Sequence, residues 1–559
     1  MVVVQKYGPL ALIVALLLGV GALVVLDAGD GDGGDTSAVA AGQGDDGLLP
    51  GAPGAPEPTG RMPLSYAEAE AAGTVTDHDW GERCDPDTGH VRLPSVYAAP
   101  CVPVFPGGDN GGATTPGVTA EAIKVVRYVA EQSSDLTALI GDAVPETADQ
   151  QTQTLRDFLE IQSSRAELYG RRIELVEYHG TGAADDVVVA QADATQIAAE
   201  LQPFLVIGGP QLDRGTFAQE LADHGIVCLD CAGALSAELM EPLVPYAWGM
   251  LPSGEQFFQA LAAWSDRLPD DRTVGGRPRK IGAVHFDQDP PVFAVPEDQY
   301  PEGVALIESY VLDIGRLPQK AAELVAALKA ADVTTVVFLG DPIMPIYLTQ
   351  AATQQGWYPE WIFTGTAYTD TNLFGRMYDP AQMAHAFGIS QLPAPLVEDL
   401  QEPVRLYRWY FGDADARPPA AVTYPALAFA AGFVVHGVHM AGPDLTPETF
   451  ARGQFRIPPA GGGPTAPQVS FGDWGLFPSP DYQGIDDAVE IWWDPDTVAP
   501  GEDERGVWRR AHDGERFTGA GDAPDPAPFD PDHTVTVLDR LPDEDTPPDH
   551  PPPPRGEPR

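Results

Sequence analysis

Three short apolar runs within residues 204–252, each stopping at small residues, constrain the fold of this chain more than any other stretch. The first, FLVI at 204–207, ends at Gly208-Gly209-Pro210. A helical pattern follows with Phe217, Leu221 and Ala222 on one face, so the order is strand, turn, helix. The second run, residues 225–229, ends at Cys231-Ala232-Gly233, and the third, residues 246–251, ends at Pro252-Ser253-Gly254. Three strands that stop at small-residue loops on one edge of an open parallel α/β sheet place those loops where such sheets hold ligands.

The alternation extends on both sides. Residues 123–129 (IKVVRYV) read as a strand, and 146–169 as an amphipathic helix with Leu155, Phe158, Leu159 and Leu168 on its apolar face. A strand at 173–178 and a helix at 185–201 complete a first doubly wound sheet. Helix 254–264 and a polar break at 269–278 come next. The pattern then restarts with strand 280–286, helices 303–312 and 319–331, strand 334–339, helix 344–356 and strands 361–365 and 384–389. The fold class expected is α/β, two doubly wound parallel-sheet lobes. Helix 421–440, apolar enough to be buried, is expected to return to the first lobe.

The ends read differently. Residues 9–26 carry no charge and are about long enough to span a bilayer core, so 1–26 is a secretory signal or a membrane anchor. A small-residue site at Ala38-Val39-Ala40 lies far from that run for cleavage, which favours the anchor, with the body outside the cytoplasm. Residues 27–79 read as a disordered acidic linker and 519–559 as a disordered tail. With 82 acidic against 32 basic residues the net charge is −50, which repels phosphate backbones and argues against a nucleic-acid partner.

Cys84 and Cys101, and Cys228 and Cys231, form two local pairs, expected to be disulfides in an exported chain. The first would close the loop 84–101 within the segment 80–116, and a loop of that size gains about 3 kcal/mol from the crosslink. The second is a C-x-x-C inside an apolar strand run, where a thiolate is disfavoured. A structural bridge therefore ranks ahead of redox chemistry, and zinc ranks lower. His436 and His439 lie one turn apart on an apolar helix and read as buried side chains before metal ligands. No nucleophile elbow, H-E-x-x-H or phosphate loop is present, so neither enzyme, cofactor nor metal is expected.

GVTAEAIKVV at 117–126, FLVIGGP, CAGALSAEL at 231–239, YAWGMLPS and DQYPEGVALIESY at 298–310 together resemble the type I periplasmic substrate-binding proteins, in the branch serving branched-chain amino-acid ABC transporters. The resemblance covers about residues 117–453 and rests on the order of motifs. It implies two lobes, 117–265 and 279–415, with 416–518 returning to the first lobe and extending beyond it. The lobes would close on a small polar solute for an ABC permease, without enzymatic activity. First-lobe contacts would come from Gln211 and from Gly233, Ala234, Leu235 and Ser236, through backbone N–H groups at helix starts. The family usually has hydroxyl residues where this chain has Gln211 and Leu235. In the second lobe Tyr300 matches a family tyrosine, and Asp341 a family acid that pairs with a ligand ammonium; a helix cap is the competing role for Asp341. Trp248, Tyr368 and Phe286 would wall the cleft or belong to the core. Competing functions are a membrane-tethered sensor without transport and an extracellular redox protein using Cys228 and Cys231.

Overall fold

The computed structural model describes residues 60–553 except 131–145, 184–185, 211–212, 214, 232–236, 269–272, 275–276, 287–303, 312–314, 478–480, 501–502 and 520. The expected signal or anchor and most of the acidic linker lie outside the described residues.

The first lobe is a parallel sheet built on β1 (Ala122–Val129), whose Ile123, Val125 and Val126 are fully buried. Around it lie β2 (Arg172–His179), β3 (Leu205–Ile207), β4 (Val227–Leu229) and β5 (Ala247–Trp248), in the order β2-β1-β3-β4-β5. All four pairings are parallel. A parallel sheet needs a crossover between neighbours, and the helices supply it. The longest of them here, α2 (Ala148–Ser163), starts at a capping box of Thr147 and Gln150 and buries Leu155, Phe158 and Ile161. Helices α3 (Val187–Gln196) and α4 (Thr216–Asp223) follow β2 and β3.

The second lobe carries β6 (Ile281–Phe286), β7 (Leu306–Tyr310), β8 (Thr335–Leu339), β9 (Glu360–Phe363) and β10 (Ala386–Ser390). It ends in β11 (Ala488–Val498), β12 (Arg505–Arg510) and β13 (Arg516–Phe517). The order is β7-β6-β8-β9-β10-β11-β12, with β13 also on β11. The first five strands are parallel, whereas β11 runs antiparallel to β10, β12 and β13. Mixed sheets of this kind carry an antiparallel edge on a parallel body.

Residues 303–312, expected to be helical, hold β7 instead. The run LIESY is too short for periodicity to separate strand from helix, and its register with β6 decides the matter. The lobe boundaries also differ from those expected. Helix α5 (Gly254–Ser265), read with the first lobe, packs Phe258, Leu261 and Trp264 against Val337, Ile362 and Phe387 of the second sheet. Helices α6 (Leu317–Ala330) and α7 (Met344–Gln354) lie in the second lobe. Helices α8 (Glu402–Phe411), α9 (Tyr424–Ala441) and α10 (Pro447–Phe455) return to the first. Apolar enough to cross a membrane by composition, α9 lies largely inside the body, its Val434, Val435 and Val438 fully buried.

The chain passes between the lobes three times. The first and third passages run side by side, with the Gly249 amide donating to Tyr482 O at 3.0 Å and the Ile485 amide to Met250 O at 3.0 Å. The second, residues 391–397, is held by Arg516. That guanidinium donates to the carbonyls of Gln391 and Leu392 and to both carboxylate oxygens of Asp487, at 2.7–3.1 Å.

Two segments expected to be without structure are laid on the body. Within the expected linker, helix α1 (Tyr66–Ala72) begins at a capping box of Ser65 and Glu68, and Arg61 pairs with Asp444 at 2.7 Å. The expected tail packs Phe529 on Phe387 at 5.6 Å, bridges Val535 to Arg510 and Leu538 to Leu396, and ends with Pro551 O accepting from Arg165 at 2.6 Å. Low apolar content hid both, because discrete polar contacts hold them more than burial does.

The third passage concentrates acid. Burial pushes the Asp486 carboxyl up to about 8 and Asp481 up to about 7, and Asp213, Asp230 and Asp370 rise to about 6 for the same reason. In the unfolded chain these groups ionise near 3.9. The folded state therefore holds more protons between pH 6 and 8, so stability falls as pH rises through that window. Burial also depresses His436 to about 3 and His439 to about 4, an opposing effect that begins below about 6.5, the unfolded value. Thermal unfolding followed from pH 8 to pH 6 is expected to show a rising melting temperature, with a flatter curve in Asp486→Asn. A melting temperature that falls over that interval would contradict the assignment.

Candidate functional site

In each lobe the parallel strands run to one common edge of the sheet, where the loops that follow them begin. In the first, the loop at Gly208-Gly209 packs tightly on the loop after β4. A Cβ on Gly209 would sit 2.3 Å from Cys231 O, which reserves that position for glycine. Asp230, in the left-handed region at φ 52, anchors the turn by accepting the Met250 amide at 2.8 Å. The Cys228–Cys231 disulfide lies beneath, both residues buried, which removes them from the surface a redox exchange requires. Cys84–Cys101 is likewise bonded.

In the second lobe, Asp341 follows β8. Its Oδ1 accepts the amides of Ile343 and Met344 at 2.7 and 3.0 Å, and the Tyr310 hydroxyl donates to Oδ2. Burial raises its pKa, which these hydrogen bonds oppose. The carboxylate is thus engaged within the protein, in the geometry of a helix cap.

The loop after β9 is built otherwise. Ala367 and Tyr368 both take positive φ, 45° and 63°, a conformation disfavoured for side chains with a Cβ and held only by surrounding structure. Thr366 Oγ1 accepts the Gly340 amide at 3.1 Å and ties this loop to its neighbour. The Tyr368 hydroxyl is buried without a hydrogen-bond partner, as is Thr369 Oγ1. Desolvation raises the Tyr368 pKa well above its ordinary value, and the charges of Asp230 and Asp370 push it further. Asp230 comes from the first lobe, so the charge of one lobe acts on the phenol of the other. Asp370 accepts from the Ser390 hydroxyl through Oδ2 while its Oδ1 has no partner. Beside it is Arg510 on β12, 4% exposed, its Nε also unpartnered and its pKa lowered to about 10 by burial. Buried polar atoms ordinarily find partners, and four that have none within the protein, the Tyr368 hydroxyl, Thr369 Oγ1, Asp370 Oδ1 and Arg510 Nε, lie at this lobe junction.

Beside that junction, between α9 and the three passages, lies a cavity of about 310 Å³ whose wall includes Asp370, Asn372, Arg510, Met250, Phe429 and His436. Its volume is within the range of small-molecule sites, roughly 300–1,000 Å³.

Of the positions expected to touch a ligand, Gln211, Gly233, Ala234, Leu235, Ser236 and Tyr300 lie outside the described residues. Asp341 is placed at the second lobe's strand edge as expected, but with its oxygens engaged. Trp248 and Phe286 belong to the core, Trp248 in an aromatic cluster with Phe433, Phe471 and Tyr482 at 4.6–5.4 Å. Tyr368 sits at the junction. Sequence reading passed over Thr369, Asp370 and Arg510; the hydroxyl-rich TGTAYTDT after an apolar run was the available signal for the first two. His436 shares a 3.1 Å hydrogen bond with Gln162, and His439 bonds to Pro100 O and the Glu167 amide. Among the described residues no three His, Cys, Asp or Glu side chains are grouped to hold a metal ion.

No family model and no curated protein matches the sequence. Solved structures do match. A substrate-binding protein of an ABC transporter from Aeropyrum pernix superposes with a TM-score of 0.50 at 12% identity, over 72% of this chain and 97% of that one. A fatty-acid ABC transporter substrate-binding protein from Thermomonospora curvata gives 0.48 at 17% identity, over 75% and 99%. The branched-chain amino-acid binding protein LivJ of Streptococcus pneumoniae, solved with isoleucine, gives 0.45 at 14%, over 70% and 100%. The likeness to the first is one of fold.

Proposed function

We propose that this chain, which shares the fold of the substrate-binding proteins of ABC transporters, is itself an extracytoplasmic solute-binding protein. It captures a small ligand between its lobes and presents it to an ABC permease, by binding and not by catalysis. The N-terminal apolar run would hold it to the membrane. The observation that carries the reading is the Tyr368 loop: a strained backbone turn holds a buried, unpartnered hydroxyl at the strand edge of the second lobe, where the charge of Asp230 from the first lobe also acts. Strain and unsatisfied polar groups of this kind are retained where a bound molecule uses them. Loop contacts from 211, 233–236 and 300 would complete the ring of donors.

A thermal-shift screen of the full chain against amino acids, amides, aromatic acids and aliphatic acids tests it. A solute at a hundred times its Kd adds about 2.7 kcal/mol to the folded state and raises the melting temperature. The response is expected to be reduced in Tyr368→Phe by about tenfold in affinity, the effect of one buried hydrogen bond. A panel that leaves the melting temperature unmoved would defeat the proposal.

A further inference from the structure

The cavity beside α9 is long as well as apolar. The helix face that lines it runs from Pro425 to His436 through Ala428, Phe429 and Gly432, roughly 16 Å at the helical rise per residue. Met250, Leu392 and Phe471 of the three passages form the opposite wall. At about 310 Å³ it has roughly twice the volume of a cavity that takes one benzene ring, hence room for about ten to twelve carbons. Gly432 leaves the lumen open. A Cβ there would meet nothing nearer than Gln162 Nε2 and His436 Cε1, both at 3.8 Å.

Where the cavity reaches the second lobe its wall carries Asp370, Asn372 and Arg510, while on the first-lobe side Gln162, Glu402 and His436 are set among the apolar residues. Arg510 is the only arginine or lysine among the described residues that line it, and its Nε is buried without a partner. Of the two lining carboxylates, Glu402 is taken up by the Ser95 hydroxyl at 2.6 Å and the Val96 amide at 3.2 Å. Asp370 accepts from Ser390 and keeps one oxygen unpartnered. A buried guanidinium favours an anion with two acceptor oxygens, and the apolar lumen beyond it favours hydrocarbon.

We propose that the cavity takes the hydrocarbon chain of a medium-length aliphatic carboxylic acid whose carboxylate lies at Arg510. The inference rests on the solute-binding reading above and names the class of solute. One end of the ligand is fixed by the charge at the lobe junction; the remainder lies along α9, away from water.

Calorimetric titration of the full chain with butyrate, hexanoate, decanoate and decanol tests it. Affinity is expected to rise at least about a hundredfold from butyrate to decanoate as methylenes enter the cavity. In Gly432→Leu, which puts a side chain into the lumen, decanoate is expected to weaken at least about tenfold with no fall in melting temperature, since leucine suits a helix better than glycine. Arg510→Lys is expected to weaken decanoate while leaving decanol unchanged, because the planar fork is lost. A flat chain-length series overturns the inference, as does decanoate affinity unaltered in folded Gly432→Leu, or equal losses for acid and alcohol in Arg510→Lys. The series on the unmodified chain decides independently of either variant. If another solute shifts the melting temperature and decanoate does not bind, the acyl assignment fails and the solute-binding reading stands; if nothing binds, both fail.

Discussion

Replacing Arg516 with methionine is expected to remove about 3–5 kcal/mol of unfolding free energy, the range for stranding one partner of a buried ion pair. Neither side chain is exposed to any extent, 0% for Arg516 and 1% for Asp487. The guanidinium holds both oxygens of Asp487 and the carbonyls of Gln391 and Leu392, so it joins the second and third passages between the lobes. Without it, a carboxylate and three carbonyls, those of Gln391, Leu392 and Asp487, lose donors in a place water does not reach. Chemical denaturation at neutral pH measures the loss. Arg516→Met with Asp487→Leu is expected to recover much of it, because apolar replacement of a whole buried pair is often near neutral. The three carbonyls would still be short by about 1 kcal/mol each. A single variant within 1 kcal/mol of the parent would mean the passages are held by other contacts.

Trp248→Ala is expected to have a comparable effect, about 3–5 kcal/mol, from the transfer term and the cavity left behind. The indole is 2% exposed at the end of β5, with Phe433, Phe450, Phe455, Phe471 and Tyr482 around it at ring distances of 4.6–6.1 Å. Its Nε1 donates to Pro245 O at 2.8 Å. The rings around it come from α9 and α10 and from the third passage and its approach. Trp248→Phe keeps most of the packing and is expected to lose less than half as much. Denaturation curves for the two variants check the order; equal losses would place the effect in the hydrogen bond.

Much of the fold was legible because buried parallel strands write themselves as apolar runs between breakers. The strands at 205–207, 227–229 and 335–339 are fully buried and short. β7 was misread because LIESY, half-buried at a sheet edge, has both periods in so few residues. Strands β11 and β12 are hard to read among Asp, Pro and Gly: they pair as a local hairpin with Trp493 against Trp508, while the partner that places them in the sheet, β10, is distant in sequence, Phe387 facing Trp492. The site was less legible than the fold. Asp341 was found by its place after a strand, yet its two roles differ only in where the oxygens point. Tyr368 stands out in the sequence as an aromatic at a strand end; its left-handed backbone leaves no trace in composition. Arg510 lies 140 residues beyond Asp370 in sequence, and only the folding of β12 onto the second sheet brings them to one wall.

The C-terminal segment has a mechanical corollary. It touches Phe387 and Arg510 in one half of the molecule, crosses Leu396 at the hinge, and finishes on Trp409 and Arg165 in the other half. Any swing that parts the halves must lengthen this leash or peel it away at one end. If the lobes do open, the amplitude would depend on the ring and main-chain contacts of residues 529–551, and trimming the chain after Leu538 is expected to free the motion without altering either sheet.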